Sequence, residues 1–208
     1  MKTMIAQGAE AIIYKENDLI IKERIPKSYR IKEIDEKIRR QRTRREINIL
    51  KKASEIILVP KLEKNSSEKD YKIYMEFIEG KRLSEQLDKL EESKRLEICK
   101  NIGKQLALLH DKDIIHGDLT TSNLILKGNM LYFIDFGLSF IDQKEEHKAV
   151  DLHLIRQALE SKHYLHYESC FNAVLKGYKE TSKNFKEIMK RLEKVESRGR
   201  YKQKAKKQ

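Results

Sequence analysis

The 208-residue sequence has no long apolar run, no tryptophan and only two cysteines. A helix that crosses a membrane needs about 20 consecutive apolar residues, and no stretch approaches that length. An apolar signal core is also missing from the start of the chain, which reads Met1-Lys2-Thr3-Met4. We therefore expect a cytoplasmic protein that does not bind a membrane.

The two cysteines are far apart in the sequence and have no metal-binding spacing around them. Cys99 and Cys170 form no CxxC pair and have no paired histidines nearby. This pattern indicates buried free thiols in a reducing compartment, rather than a disulfide or a zinc site.

Acidic residues are scarce in two segments, and these segments carry much of the formal net charge of +12. One is residues 37–45, and the other is the C-terminal tail, residues 198–208, which contains no acid. A clustered positive charge attracts polyanions, with nucleic acid first among them. The alternative is a solvated helix face and a disordered solubilising tail. For residues 37–45 both interpretations remain open, and for the tail we favour an interaction role.

The order of the elements divides the chain into a strand-rich part and a helical part. Residues 3–24 read as three short strands, and residues 31–54 as a long basic helix. Two further strands are predicted, at residues 56–62 and 71–78. The apolar stripe of the long helix is expected to follow Ile31, Ile34, Ile38, Arg42, Arg45 and Ile49. Beyond residue 80 the pattern is mostly helical, with helices at residues 149–160, 167–180 and 184–197.

The main chemical motif runs from His116 to Asn123 and is followed by Asp135-Phe136-Gly137. A tight turn at residues 127–129 predicts a hairpin that brings Asn123 and Asp135 together. One Asn and one Asp oxygen suit Mg²⁺, which takes few protein ligands and shares phosphate oxygens. Asp118 can orient or deprotonate a hydroxyl. Either motif alone would be uninformative, but both in this order indicate phosphoryl transfer from ATP.

The strand-rich part supplies weaker signals for the same chemistry. Gly8 lies in a turn that could cover phosphates, although Ala9 and Ala11 stand where further glycines would help. Lys22 ends an apolar strand, and Glu46 is the one acid between Arg39 and Leu50. An ion pair between Lys22 and Glu46 would hold the ATP phosphates. Alternatively, Glu46 pairs with Arg42, one turn earlier on its own helix.

Taken together, these features resemble the protein-kinase fold over nearly the whole chain. The chain has HGD in place of HRD, is short and lacks the APE motif. In these features it resembles the atypical, RIO-like branch of the kinases. The closer resemblance is to the small kinase subunit of the KEOPS/EKC complex (the PRPK family), and an Ile- and Lys-rich composition suits an archaeal member. It rests on Gln7–Ala11, Tyr29-Arg30, Arg42–Glu46, Met75–Gly80, His116–Asn123, Ala149–Leu152 and Arg198–Arg200.

The resemblance implies a minimal, bilobal α+β kinase fold with a five-strand N-lobe at residues 1–78, a C-lobe at 79–197 and a basic tail at 198–208. It implies that Asp118 is catalytic and that Asn123 and Asp135 bind Mg²⁺. Lys22 and Glu46 would anchor the ATP phosphates below Gly8. The adenine pocket would be formed by hinge residues Glu76 and Ile78 and by apolar walls at Ile13, Ile125 and Ile134.

The same resemblance implies an ATP- and Mg²⁺-dependent ATPase and atypical serine/threonine kinase that autophosphorylates. It would support threonylcarbamoyl-adenosine modification of tRNA, bound to the threonylcarbamoyl-transferase subunit and other KEOPS-type subunits. The basic helix and the tail would contact tRNA.

Departures from regulated kinases favour ATPase or switch behaviour. Gly117 replaces the arginine that reads a phosphorylated activation loop, and only 13 residues separate Gly137 from Asp151. Thr120 replaces a lysine that clamps the transferred phosphate. Two other functions stay open: a small-molecule phosphotransferase of the aminoglycoside or choline kinase type, and a non-catalytic RNA-binding scaffold.

Overall fold

The computed structural model describes the backbone of residues 1–205 and the side chains of residues 1–197. The strands are β1 (Thr3–Gln7), β2 (Ala11–Glu16), β3 (Leu19–Arg24), β4 (Lys72–Glu76), β5 (Lys81–Arg82), β6 (Ile114–Ile115), β7 (Leu124–Lys127), β8 (Met130–Phe133) and β9 (Phe140–Ile141). The helices are α1 (Lys32–Ala53), α2 (Leu83–Gln86), α3 (Glu92–His110), α4 (Glu145–Lys162), α5 (Tyr167–Thr181) and α6 (Phe185–Ala205). Short 3₁₀ turns lie at Leu87–Lys89 and Thr121–Asn123.

The N-terminal lobe is an antiparallel sheet with the order β1-β2-β3-β4, and helix α1 packs against it. The first three strands lie where the sequence predicts them. In the register, Lys22 of β3 lies opposite Ile13 on one side and Ile73 on the other. Alternate residues of β3 therefore face the same side of the sheet, which places Lys22 and Arg24 on one face.

The predicted fifth strand of this lobe is wrong. Residues 56–62 form turns and irregular chain after α1, and a single bridge joins Leu62 to Met75 of β4. The apolar character of Ile57 and Val59 comes from packing in the core at the end of α1, because both side chains are buried. Pro60 follows and has no N–H group to donate to a sheet. The described part of the lobe thus has four strands.

The predicted apolar stripe of α1 is also wrong. Ile31 is 67% exposed and Ile34 is 51% exposed, and Arg45 faces solvent. Polar residues occupy much of the buried face instead, because they are paired: the Asp35 carboxylate accepts a 2.6 Å bond from Arg39 Nε. The buried residues of α1 are Asp35, Arg39, Thr43, Glu46, Ile47, Ile49, Leu50 and Ala53.

The C-terminal lobe is built around the crossing of α3 and α5. A Cβ atom on Gly103 of α3 would lie 1.9 Å from the Val174 carbonyl oxygen, and one on Gly177 of α5 would lie 1.9 Å from the Lys100 carbonyl oxygen. The backbones of α3 and α5 therefore come into close contact at these two glycines, which have no side chain. The two cysteines are buried free thiols in these helices, as predicted.

All three predicted C-terminal helices are present as α4, α5 and α6, so the chain has the bilobal α+β kinase architecture that the sequence predicts. Helix α6 continues beyond residue 197, so the segment predicted as a tail begins inside a helix. The side chains of the tail, residues 198–208, lie outside the described residues. Within the described chain, no helix is long and apolar enough to cross a membrane.

The predicted hairpin is formed by β7 and β8, which turn at Gly128 and Asn129. Gly128 has a φ of +59°, in the left-handed region that favours glycine. Strand β5 extends this hairpin on the β7 side, and the short strands β6 and β9 form a separate two-stranded sheet. The hairpin carries the residues of the main motif to the interface between the two lobes.

Candidate active site

The backbone of the loop that carries Asp118 is hydrogen-bonded to a carboxylate of helix α4. Asp151 is fully buried and accepts the backbone N–H of His116 at 2.6 Å and that of Gly117 at 2.8 Å. Gly117 has a φ of +79°, and a Cβ atom there would lie 2.6 Å from the Leu138 carbonyl oxygen. Position 117 thus requires glycine for both its conformation and its close contact.

A buried polar chain behind this carboxylate fixes its orientation. The His110 Nε2 atom lies 3.1 Å from Asp151 Oδ2, and His110 Nδ1 lies 2.7 Å from the Tyr178 hydroxyl. A carboxylate can only accept a hydrogen bond, so His110 Nε2 donates to Asp151 and the other ring nitrogen bonds to the tyrosine. Helices α3, α4 and α5 are joined through this chain to the Asp118 loop.

His116 is a structural residue beneath Asp118. Its Nε2 atom lies 3.2 Å from the Ile134 carbonyl oxygen, and its Nδ1 atom lies 3.4 Å from the Asp118 backbone nitrogen. Burial lowers the pKa of His116. The ring is therefore neutral at neutral pH, with Nε2 as donor and Nδ1 as acceptor.

Asn123 is oriented by Asp118. Its amide nitrogen donates to the Asp118 carbonyl oxygen at 2.8 Å and to the carboxylate Oδ2 at 3.1 Å. Both partners are acceptors, so the amide nitrogen must face them and Oδ1 must face the other way. The backbone joins this residue to the second strand of the hairpin, because the Ile134 N–H donates to the Asn123 carbonyl at 3.0 Å.

Asp135 lies two residues after the end of β8 and has a φ of +61°, an unusual conformation for a residue other than glycine. Its Oδ1 accepts from Lys22 Nζ at 2.6 Å and from the Gly137 backbone N–H at 3.3 Å. Burial opposes ionisation, but the neighbouring ammonium group outweighs it and lowers the pKa of the Asp135 carboxyl. Asp135 is thus a carboxylate at neutral pH, and it is joined to the opposite lobe.

Lys22 lies between two carboxylates. Its Nζ is 2.7 Å from Glu46 Oε1 and 2.6 Å from Asp135 Oδ1. Burial would lower the pKa of Lys22, but these two carboxylates raise it. The expected ion pair between Lys22 and Glu46 is present, and the alternative pair between Glu46 and Arg42 is wrong because Arg42 binds Glu10 at 2.6 Å.

A cavity of about 260 Å³ opens beside these charges, between the two lobes. Its walls are mainly apolar, and its polar end is formed by Lys22, Glu46, Asn123 and Asp135. The predicted adenine-pocket residues all line it, namely Ile13, Glu76, Ile78, Ile125 and Ile134. The structure therefore brings nine of the eleven predicted site residues to one cavity.

The other two predicted residues lie differently. Asp118 is not one of the lining residues, but it contacts Asn123, which is. Gly8 lies on the exposed turn between β1 and β2 and does not line the cavity. A Cβ atom on Gly8 would have only the Ala11 carbonyl oxygen nearby, at 3.7 Å, so nothing in this conformation requires glycine there.

The turn between β1 and β2 is tied to the basic helix. Glu10 of this turn pairs with Arg42 of α1 at 2.6 Å and with Arg30 at 3.3 Å. Burial would raise the pKa of Glu10, but these guanidinium groups lower it. Lys27 Nζ adds a bond to the Ala9 carbonyl oxygen. Glu10 therefore anchors the turn between β1 and β2 to Arg30 and to helix α1.

Sequence reasoning missed two buried residues that organise the site. Arg24 binds Glu46 from the side opposite Lys22, and its position two residues after Lys22 on a strand was the available signal. Asp151 lies in the motif Ala149–Leu152, but no role was predicted for its carboxylate. A single acid within an otherwise apolar stretch of helix was its signal, since an isolated acid there needs a buried partner.

The oxygen atoms at the polar end fit a magnesium ion. Asn123 Oδ1 and Asp135 Oδ2 have no hydrogen-bond partner among the described residues. One amide oxygen and one carboxylate oxygen form the kind of incomplete ligand set that Mg²⁺ completes with phosphate oxygens and water. No cluster of three or more acidic, histidine or cysteine side chains that could hold a metal ion occurs in the described part of the chain.

Helix α1 also presents an exposed basic face, which consists of Lys37, Arg40, Arg44 and Arg45. No ion pair is found for these four side chains within the described residues. Arg39 and Arg42 do not belong to this face, since each is held by a carboxylate. The face keeps its charge available to a polyanion.

Comparison with known proteins gives one consistent result. The model of the protein kinase domain family matches residues 4–168. The chain is 46% identical to the KEOPS complex subunit Bud32 of Pyrococcus abyssi, with 97% of both chains covered. It is 41% identical to the EKC/KEOPS complex subunit bud32 of Dictyostelium discoideum, over 96% of this chain and 83% of that protein.

A longer relative extends the comparison. The chain is 39% identical to a probable bifunctional tRNA threonylcarbamoyladenosine biosynthesis protein of Methanosarcina acetivorans, over 93% of this chain. It spans only 35% of that protein's length. The match therefore concerns one part of the bifunctional protein.

Proposed function

The chain belongs to the protein kinase family and, within it, to the family of the KEOPS subunit Bud32, and from this premise we propose that it is an ATP- and Mg²⁺-dependent ATPase and atypical serine/threonine kinase. It phosphorylates itself and supports threonylcarbamoyl-adenosine modification of tRNA in the cytoplasm. We propose the same division that we expect from the sequence, with an N-lobe at residues 1–78, a C-lobe at 79–197 and a basic tail at 198–208.

The observation that carries this proposal is the position of Lys22 between Glu46 and Asp135, at the polar end of an apolar cavity. Such a cavity matches a nucleotide, which has an apolar base at one end and charged phosphates at the other. Adenine would lie between Ile13, Ile125 and Ile134, and the backbone of Glu76 and Ile78 would bind its polar edge. When ATP binds, the Lys22 ammonium group would leave Asp135 and bind phosphate oxygens, while its ion pair with Glu46 would remain.

Asn123 and Asp135 would hold Mg²⁺, which neutralises charge on phosphate oxygens when it is bound. Asp118 would accept a hydrogen bond from the attacking hydroxyl or water and take its proton. Its carboxylate is kept in place by the amide nitrogen of Asn123, 3.1 Å away. The short segment between Gly137 and Asp151 offers little surface for a peptide, which favours transfer to water or to the protein itself.

Replacement of Asp118 by Asn tests the catalytic assignment. We expect ATP hydrolysis and autophosphorylation to fall by roughly 10²- to 10⁴-fold, the usual contribution of general acid–base catalysis. ATP affinity should stay nearly constant, because the side chain does not line the cavity. Asp142→Asn is the matched control, since that acid is on the surface near His147. If both activities survive Asp118→Asn unaltered, the catalytic assignment of Asp118 is wrong.

The exposed basic face of α1 and the tail are proposed to contact tRNA. Each phosphate contact contributes close to one unit to the salt dependence of the binding constant. Arg40→Gln combined with Arg44→Gln should therefore weaken tRNA binding and reduce the slope of log K against log salt by roughly 1.4 to 1.8. The control combines Lys89→Gln with Lys112→Gln, which removes the same charge from the C-terminal lobe. Equal slopes for the two double variants would remove α1 from the interface.

Truncation after Ser197 tests the tail separately. We expect lower tRNA affinity at low salt and a smaller salt dependence, because the tail carries basic residues and no acid. Unchanged affinity at low and moderate salt would exclude the tail.

The proposed partners are the threonylcarbamoyl-transferase subunit and other KEOPS-type subunits. The support is the match to one part of a protein named as bifunctional, together with two relatives named as KEOPS subunits. We expect the purified chain to co-elute with a transferase subunit from the same organism in size-exclusion chromatography. ATP turnover with and without that subunit and tRNA would measure the effect of assembly, and separate elution at micromolar concentrations would contradict the proposed complex.

A small-molecule phosphotransferase is less well supported. Such enzymes need a large helical substrate pocket after the residue equivalent to Asp135. The described helices that follow Asp135 are instead used in packing, since α5 packs against α3 and α6 packs against α4.

A further inference from the structure

Both oxygens of the Glu46 carboxylate are bound by cations from β3. Oε1 lies 2.7 Å from Lys22 Nζ, and Oε2 lies 2.6 Å from Arg24 Nη2. The carboxylate is 1% exposed and the guanidinium group 4% exposed at the side chain. A charge-assisted bond in such a dry setting is stronger than one at the surface.

The two cations differ in what else they can bind. Lys22 has a second carboxylate, Asp135, at 2.6 Å, so it stays paired if Glu46 moves away. Arg24 has Glu46 as its one side-chain partner among the described residues, and its Nε is buried without any partner there. An outward movement of α1 would therefore leave a buried guanidinium group unpaired, which is strongly unfavourable.

We propose that Arg24 is a positioning residue that holds Glu46, and with it helix α1, in the position required for nucleotide binding, whether or not nucleotide is present. The inference rests on the proposed function, because the position that matters is the one in which Glu46 orients Lys22 toward phosphate. The ion pair between Lys22 and Glu46 is then assembled permanently. No activation segment is then needed to form this ion pair, which agrees with the short connection from Gly137 to Asp151.

Direct binding of phosphate by Arg24 is the competing explanation. A Cβ atom on Gly137 would lie 3.1 Å from Lys22 Nζ and 3.5 Å from Arg24 Nη2, so the two cations are near each other. Arg24, however, is not among the residues that line the cavity, whereas Lys22 is. The observed contacts favour an action through Glu46.

Arg24→Met is the informative substitution, since methionine retains much of the apolar stem and loses the charge. Hydrogen exchange of the nucleotide-free protein should become roughly tenfold faster at the amides of residues 42–50, the order expected when one charge-assisted bond is lost. The KM for ATP should rise by a similar factor, while kcat changes much less, because the ground-state position of Lys22 is affected. Arg24→Lys should recover much of both effects, because it keeps a cation next to Glu46.

The matched control is Arg95→Met in the C-terminal lobe. Arg95 is 7% exposed and also has a buried Nε without a partner, but it binds the Leu90 carbonyl far from the cavity. This variant measures the general cost of losing a buried arginine. It should leave the KM for ATP and the exchange of α1 unchanged.

Glu46 separates the two explanations. In a Glu46→Gln background, Arg24→Met should have little further effect on the KM for ATP if Arg24 acts through Glu46. An undiminished effect would mean that Arg24 binds phosphate itself and would overturn the proposal. If Arg24→Met does not fold, the double variant Arg24→Met with Glu46→Met removes both charges and should fold, whereas Glu46→Met alone should not.

The exchange measurement needs no activity, so it distinguishes failure of this inference from failure of the proposed function. Faster exchange of α1 in Arg24→Met, in a protein that neither binds nor hydrolyses ATP, would support the role of Arg24 and refute the ATPase. Equal exchange in Arg24→Met and Arg95→Met would refute the role of Arg24 even in an active ATPase.

Discussion

Replacement of Asp151 by Asn should destabilise the protein and loosen the loop that carries Asp118. The carboxylate accepts the backbone N–H groups of His116 and Gly117 and a bond from His110, all in a fully buried position. Asparagine has nearly the same shape, so no cavity forms. One of its two polar atoms is a donor, however, and it must face a donor of the loop or of the histidine.

The size of the effect follows from these contacts. A hydrogen bond to a charged group contributes about 1.5–3 kcal/mol, and a buried donor left without an acceptor costs a comparable amount. Asp151→Asn should thus lower the free energy of unfolding by about 3 kcal/mol, the loss of one such bond together with a donor–donor contact. For a chain of this length, that corresponds to a fall in Tm of about 6–12 °C.

The assay is thermal unfolding by circular dichroism, together with ATP turnover below the transition. Turnover of Asp151→Asn should fall more than ATP affinity, because the loop next to Asp118 loses its anchor while the cavity walls are untouched. Asp142→Asn serves as the control, as its carboxylate is on the surface. A Tm within about 2 °C of the wild-type value would refute the reasoning, since it would mean that the buried bonds contribute almost no stability.

Four further variants test single positions. Gly117→Ala should lower the free energy of unfolding by about 3 kcal/mol or more, because a positive φ and a 2.6 Å approach to Leu138 both oppose a Cβ atom. Gly128 also has a positive φ, but a Cβ atom there would have nothing within 4 Å, so Gly128→Ala should lower the free energy of unfolding by only about 1–2 kcal/mol. Equal urea midpoints for Gly117→Ala and Gly128→Ala would contradict this difference. Burial lowers the pKa of His116, so the unfolded chain binds more protons than the folded protein. The free energy of unfolding should therefore be highest above about pH 6.5 and should fall as the pH drops toward the folded pKa. In urea titrations at a series of pH values, His116→Asn should flatten this dependence on pH, and an unchanged slope would contradict the neutral ring. Gly103→Ala should unfold the C-terminal lobe or greatly lower its Tm, because a Cβ atom would lie 1.9 Å from a carbonyl oxygen of α5, and a wild-type melting curve would rule out this close crossing of the two helices.

The part of the site that is local in sequence was predictable. The spacing from Asp118 to Asn123, and the turn that leads to Asp135, determine a hairpin whose geometry follows from short-range rules. The structure agrees with it down to the turn residues. The pair of Lys22 and Glu46 was reachable as well, because a single acid within a basic helix needs a partner.

The errors arose where long-range pairing overrides local pattern. Hydrophobic periodicity placed Ile31 and Ile34 in the core of α1, yet Asp35 and Glu46 are buried and the two isoleucines are exposed. Periodicity assumes that polar side chains avoid burial, and it fails when each has an ionic partner contributed by a distant strand or by its own helix. The false fifth strand has a related origin, because an apolar run packs equally well without strand pairing.

The charges at the polar end of the cavity have a consequence for the way ligands approach. Lys22 and Arg82 contribute two positive charges to the lining of the cavity, and Glu46, Glu76 and Asp135 contribute three negative ones, so the lining is close to neutral. The excess of +12 over the whole chain therefore resides elsewhere, in part on the exposed basic face of α1. A polyanion would be drawn from a distance toward that face, whereas a nucleotide would meet the cavity with little long-range guidance and would be retained by short-range contacts. Rising ionic strength should consequently slow the association of nucleic acid while leaving the entry of nucleotide almost unaffected.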